Sequence, residues 1–187
     1  MKLQLRDYIR YKFLNSLFFG ISIGSIFVIY APIEPATYSI GGILLAVCML
    51  FVAKLYGYMM HIKVFFYITI FIESTVLLFV GFFLLFGYSY MTAISIYIGY
   101  QVTFIFGNYL VRIETITLKK TAILSFVDVA KQRGYLFGMI ASYGFYKVLE
   151  YLHVHDKKIQ IYDLHVALFI LQIFILYFVF RAFYYRG

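Results

Sequence analysis

The chain has 187 residues, 64% hydrophobic, 22% aromatic and only 13% charged, with a mean hydropathy of +0.91. A soluble domain is nearer half apolar and a quarter charged, so soluble globular and disordered classes are both excluded. The formal charge of +8, in so apolar a chain, points to basic loops on one side of a bilayer rather than to nucleic acid.

A helix needs about 20 apolar residues to cross a bilayer. The sequence predicts an all-α membrane bundle, one transmembrane domain over 1–187, with spans at 13–33, 40–60, 64–86, 91–111, 134–152 and 164–180. The first run is long and lacks a small-residue cleavage site, so it reads as a retained helix. It carries Asn15, Ser16 and a Gly20-x-x-x-Gly24 pair, and small residues at this spacing let membrane helices approach closely. The second run opens on Gly41 and Gly42 and holds Cys48, the single cysteine. One cysteine excludes a disulfide framework and a thiolate metal centre.

The third run places Glu73 near its middle, in Ile-Glu-Ser-Thr. Intramembrane carboxylates mark functional sites by default. Two readings stand for it: a proton- or cation-binding carboxylate, or a protonated acid hydrogen-bonded to a neighbouring helix. The fourth run carries Gln101 and Asn108, seven residues apart and therefore on one helical face. They are expected either to line a water-filled cavity with Asn15, Ser16 and Gln172 or to make interhelical hydrogen bonds.

The connection from Arg112 to Arg133 is the one long loop. Its apolar positions alternate with Lys119, Lys120, Asp128 and Lys131, which predicts an amphipathic helix over 113–131 in the cytoplasmic interface. A longer fourth helix is the alternative. Gly134, Gly138 and Ser142 form a small-residue ladder on the fifth run. Lys147 lies further along, within reach of Glu73 by depth along the helices, or of Glu150 as a local i,i+3 pair.

Thirteen of the sixteen Lys and Arg fall at the two termini, the second-to-third turn and the fourth-to-fifth connection. Lys147, Lys157 and Lys158 fall on the other side. Positive charge marks the cytoplasm, so both ends are expected inside, in a cell inner membrane. Trp is absent and twenty Tyr are available. Tyr8, Tyr11, Tyr184 and Tyr185, among others near helix ends, are read as interfacial anchors.

Catalytic and cofactor patterns are missing. The sequence has no His-Glu-x-x-His, no Gly-x-Ser-x-Gly elbow and no Walker loop. His61, His153, His155 and His165 all fall at expected loops or helix ends. Neither an enzyme nor a bound metal or cofactor is expected.

Six spans with both ends inside resemble half of a major facilitator superfamily transporter. The tight turn Leu55-Tyr56-Gly57-Tyr58-Met59-Met60-His61-Ile62-Lys63 stands where that family keeps its Gly-x-x-x-Asp-Arg-x-Gly-Arg-Lys signature, without the Asp. Arg133-Gly134-Tyr135-Leu136-Phe137-Gly138 is similar to the start of the family's glycine-laddered fifth helix. The resemblance implies inverted 3+3 repeats and two bundles rocking about a central site for a small solute. A lone bundle cannot enclose that site, so the chain would form a homodimer or join a second membrane subunit. Asn15, Ser16, Gln101 and Asn108 would face the cavity, with Glu73 and Lys147 as candidate coupling groups. The alternative is a non-catalytic subunit that anchors a larger membrane complex.

Overall fold

The computed structural model describes residues 1–184; Tyr185 and Arg186 lie outside the described residues. The elements are β1 (Lys2–Leu3), α1 (Leu5–Ile29), α2 (Pro35–Lys54), α3 (Tyr56–Met59), α4 (Ile62–Phe86), α5 (Tyr90–Ile105), α6 (Gly107–Leu118), α7 (Thr121–Tyr151), α8 (Lys157–Ala182) and β2 (Phe183–Tyr184). Local chemistry sets their limits. Pro35 opens α2 at a position where its missing N–H costs nothing. Gly87, at φ +66°, ends α4 in the left-handed region. Ser89 caps α5 by accepting the Thr92 N–H at 3.1 Å, and Asp156 caps α8 by accepting the Lys158 N–H at 2.8 Å.

Among the described residues, five helices are long and apolar enough to cross a membrane: α1, α2, α4, the composite 90–118 and α8. The expected fifth span lies within α7, which has 31 residues but is not among the five. Gly, Tyr, Lys147 and Glu150 dilute its apolar content. Its neighbours explain how it remains in the bundle: α7 packs along the length of α1.

The expected amphipathic helix over 113–131 is not one helix. The fourth run continues through α6 to Leu118, and α7 starts at Thr121. Lys119 sits between them at φ +56°, a conformation that ends a right-handed helix. Residues 113–118 therefore belong to the fourth run and 121–131 to the first turns of α7. The fourth run is itself broken at Phe106, whose N–H reaches the Thr103 carbonyl at 3.4 Å, three residues back instead of four. Gly107 follows the break.

The chain ends are tied together. Lys2 pairs with Tyr184 and Leu3 with Phe183 in a short antiparallel ribbon, and the Gln4 N–H donates to the Ala182 carbonyl at 2.7 Å. Both termini thus lie at one end of the bundle. One buried cluster sits at that end, around Tyr8, Phe65, Tyr109, Val127 and Phe183. A second cluster, around Ile29, Phe83, Ala93 and Ile161, sits at the other.

Glycine makes the α1–α7 crossing. A Cβ on Gly20 would strike the Tyr135 carbonyl, one on Gly134 the Phe13 carbonyl, and one on Gly138 the Leu17 carbonyl. A Cβ on Gly24, one turn on, would lie 3.5 Å from the Tyr146 ring and 3.8 Å from the Ser142 hydroxyl. The two small-residue ladders of the sequence meet face to face. By contrast α2 has no buried residue and touches the bundle mainly through α5.

Candidate functional site: two buried carboxylates on one face of the first helix

Tyr8, Tyr11, Lys12 and Asn15 are spaced three and four apart on α1 and share one face. All four point into the bundle, where each adjacent turn holds one carboxylate. Tyr11 and Asn15 hold Glu73 of α4. Tyr8 and Lys12 hold Glu114 of α6.

Glu73 is 1% exposed. Its Oε1 accepts from the Tyr11 hydroxyl at 2.8 Å and from Asn15 Nδ2 at 2.9 Å. Its Oε2 accepts from Gln172 Nε2 of α8 at 2.8 Å. The same amide nitrogen donates to the Glu73 carbonyl at 2.9 Å, so Gln172 clasps both the side chain and the backbone of one residue. Every hydrogen-bonded partner of the Glu73 side chain is neutral. Thr69 lies one turn earlier on α4, and its hydroxyl and Gln172 Oε1 are buried without a partner among the described residues.

Glu114 is 4% exposed and has a different shell. Its Oε2 accepts from the Tyr8 hydroxyl at 2.6 Å and pairs with Lys12 Nζ at 2.7 Å. Its Oε1 pairs with Lys131 Nζ of α7 at 2.5 Å. Two ammonium groups fix this carboxylate in its ionised form. Lys12 also lies over the rings of Tyr8 and Tyr11, 5.4 and 5.3 Å from their centroids, a cation–π arrangement. Lys131 extends the chain to Asp128 at 3.2 Å. Burial works against the Lys131 ammonium, but the hydrogen bond and charge of Glu114 outweigh it and hold its pKa above the ordinary lysine value.

A third acid, Asp7, closes the same end. It is buried, donated to by Arg10 Nη1 at 3.0 Å, and its Oδ2 lies 3.1 Å from Arg181 Nε of α8. The Nε–H points off that oxygen, so this contact is an ion pair without a well-aligned hydrogen bond.

The sequence-predicted residues divide. Asn15 and Gln172 meet Glu73, not the fourth run. Ser16 is half-buried and its hydroxyl makes no hydrogen bond among the described residues. Gln101 and Asn108 lie on separate helices, because the break at Phe106 interrupts the periodicity that would align them. Gln101 keeps a buried, unpartnered Oε1, whereas Asn108 borders an open groove of about 830 Å3 with Tyr56, Met60 and Arg112. Lys147 does not reach Glu73. It pairs locally with Glu150 at 2.7 Å, both side chains more than half exposed.

Tyr8 and Tyr11, expected as interfacial anchors, are 0% and 3% exposed and serve the carboxylates instead. Glu114 was hidden in a segment read by its basic residues. Its signal was that it is one of only two acids, with Asp128, among five cations, and an acid there needs a partner when buried. His165, expected at a helix end, is inside α8 with Nδ1 2.7 Å from the Ile161 carbonyl and its ring 4.2 Å from that of Phe83. A cavity of about 20 Å3 near Ser25, Tyr100 and His165 has room for roughly one water and does not touch Glu73.

Comparison with protein families, curated proteins and solved structures returns no match for this chain. The apolar helices are those of an integral membrane protein.

Proposed function

We propose that the chain is a six-span inner-membrane protein with both ends in the cytoplasm. We further propose that it is a half-size secondary transporter of a small solute, a homodimer coupled to protons at Glu73. The reading is carried by which helices pair. Divided after α4, the chain gives two sets of three: α1, α2, α4 and then the composite α5–α6, α7, α8. The strongest pairings are α1 with α7, α1 with α8, α4 with α8, α4 with α5 and α2 with α5. Exchanging the sets turns α1–α7 into α5–α2 and α1–α8 into α5–α4, and leaves α4–α8 unchanged. Such closure is what an inverted 3+3 repeat produces. The paired termini add a parity argument. Ends that meet at one side of a bundle require an even number of crossings, which supports counting α7 as a sixth span beside the five apolar helices.

The two carboxylates fit separate roles. Glu114 is charge-locked by two lysines and acts as a clamp joining α1, α6 and α7. Glu73 is held by neutral donors, which tolerate a change of protonation, and it links α1, α4 and α8. This favours Glu73 as the coupling group. Infrared spectroscopy of the protein in nanodiscs, titrated with pH, should show a protonated-carboxyl band that disappears in Glu73→Gln. A band unchanged by the substitution would remove Glu73 from coupling. Native mass measurement on the same sample should give a dimer; a strict monomer at every concentration would overturn the self-sufficient half-transporter. The second reading, a non-catalytic subunit, is favoured by α2, which has no fully buried residue in the single chain and packs on it mainly through α5.

A further inference from the structure

A groove of about 590 Å3 runs between α1, α7 and α8 at the end of the bundle that carries both termini. Its lining is apolar except for two guanidinium groups, Arg10 and Arg133. On α1 Phe13 follows Arg10 by three residues, and on α7 Phe137 follows Arg133 by four. Both helices run inward from this end, so on each the aromatic ring lies one turn deeper than the charge, and Phe126 and Val129 of α7 carry the lining outward past Arg133. The two rings meet, with centroids 6.3 Å apart. The third wall is Phe178 of α8, over whose ring Arg10 Cζ lies at 5.8 Å.

Arg133 is not consumed by the fold, and Arg10 is engaged only through one nitrogen. Arg133 has no acidic partner among the described residues. Asp128, its neighbour across an adjoining groove, is taken by Lys131 at 3.2 Å. Arg10 gives one nitrogen to Asp7, which also has Arg181.

We propose that this groove is a binding site for one anionic phospholipid of the cytoplasmic leaflet. The phosphate sits between Arg10 and Arg133, and an acyl chain lies along Phe13, Phe137 and Phe178. Two guanidinium groups set in an apolar groove between membrane helices match a headgroup and its chain together. A free anion would leave the aromatic slot unfilled, and a neutral lipid would leave Arg133 without a counter-charge and Arg10 sharing Asp7 with Arg181. The proposal rests on the membrane reading above but is independent of transport.

The test uses purified full-length protein in detergent, with phosphatidylglycerol and phosphatidylcholine of the same acyl chains, followed by native mass spectrometry. Wild type should retain phosphatidylglycerol at least about tenfold better. Each of Arg10→Gln and Arg133→Gln should weaken that retention about fivefold, and the double variant by more than tenfold, as expected for roughly one charge contact each. Phosphatidylcholine retention should stay as it was. Lys157→Gln with Lys158→Gln, at the opposite end, should change nothing. Equal retention of the two lipids by wild type would overturn the proposal. So would an unchanged preference in the double arginine variant, or full displacement of the lipid by millimolar inorganic phosphate. Retained lipid selectivity in a protein that proves monomeric would sink the dimeric transporter and leave this site standing.

Discussion

Glu73 and Glu114 occupy similar depths of burial yet demand different things of the fold. Removing Glu114 leaves Lys12 and Lys131 facing each other with no carboxylate between them. Breaking a buried pair in this way costs about 3–5 kcal/mol; since Lys131 is 28% exposed, Glu114→Ala should fall near the lower end. Unfolding in mixed micelles would measure it. The clamp also has a pH signature. Lys131 is raised above its ordinary value of 10.5, so its contribution is complete below that value and fades only as pH climbs through the raised one. Stability from this pair should be flat through neutrality and drop in strong alkali, and Glu114→Gln should flatten the alkaline limb. At Glu73 the hydrogen bonds are neutral, and interhelical bonds of this kind average about 0.6 kcal/mol. Tyr11→Phe or Asn15→Ala should therefore cost about 1 kcal/mol or less, while moving the pH midpoint of the Glu73 carboxyl band. A midpoint that stayed fixed in both variants would mean that these donors do not tune the acid.

Among the elements, the α1–α7 pair is the least tolerant. Backbone meets backbone at Gly20, Gly134 and Gly138, and neither side can yield as a flexible side chain would. Gly138→Leu should lower stability by more than about 3 kcal/mol, beyond the usual range for overpacked sites. Gly42→Leu should be neutral, since a Cβ at Gly42 would meet nothing within 4 Å. Equal folded yield for the two variants would contradict the crossing. The small-residue ladders were legible in the sequence because spacing along one helix fixes a face. Which ladder met which was not legible, because spacing carries no information about the partner. The segment 113–131 misled for a related reason. Its charges and apolar residues alternate as in an amphipathic helix, yet the positive φ at Lys119 divides them between two helices that face inward at Glu114 and Lys131.

For the whole molecule, the proposed orientation makes its own prediction. On a Cys48→Ala background, cysteines at Lys2 and Lys120 should be labelled from the cytoplasm, and one at Lys157 only from outside. Labelling of Lys157→Cys from the cytoplasm would reject six spans.

What the sequence determined by itself was the solvent. Hydropathy and charge bias are sums over contiguous residues, and burial in lipid is decided window by window, so the membrane class and the apolar helices that carry it follow without a fold. The tertiary structure decided the chemistry. Asn15 and Glu73 are 58 residues apart, Glu73 and Gln172 are 99 apart, and Tyr8 and Glu114 are 106 apart. Contacts at such separations arise from how helices pack, and packing in lipid is set by glycine approach and matched polar groups, which no single window of sequence contains.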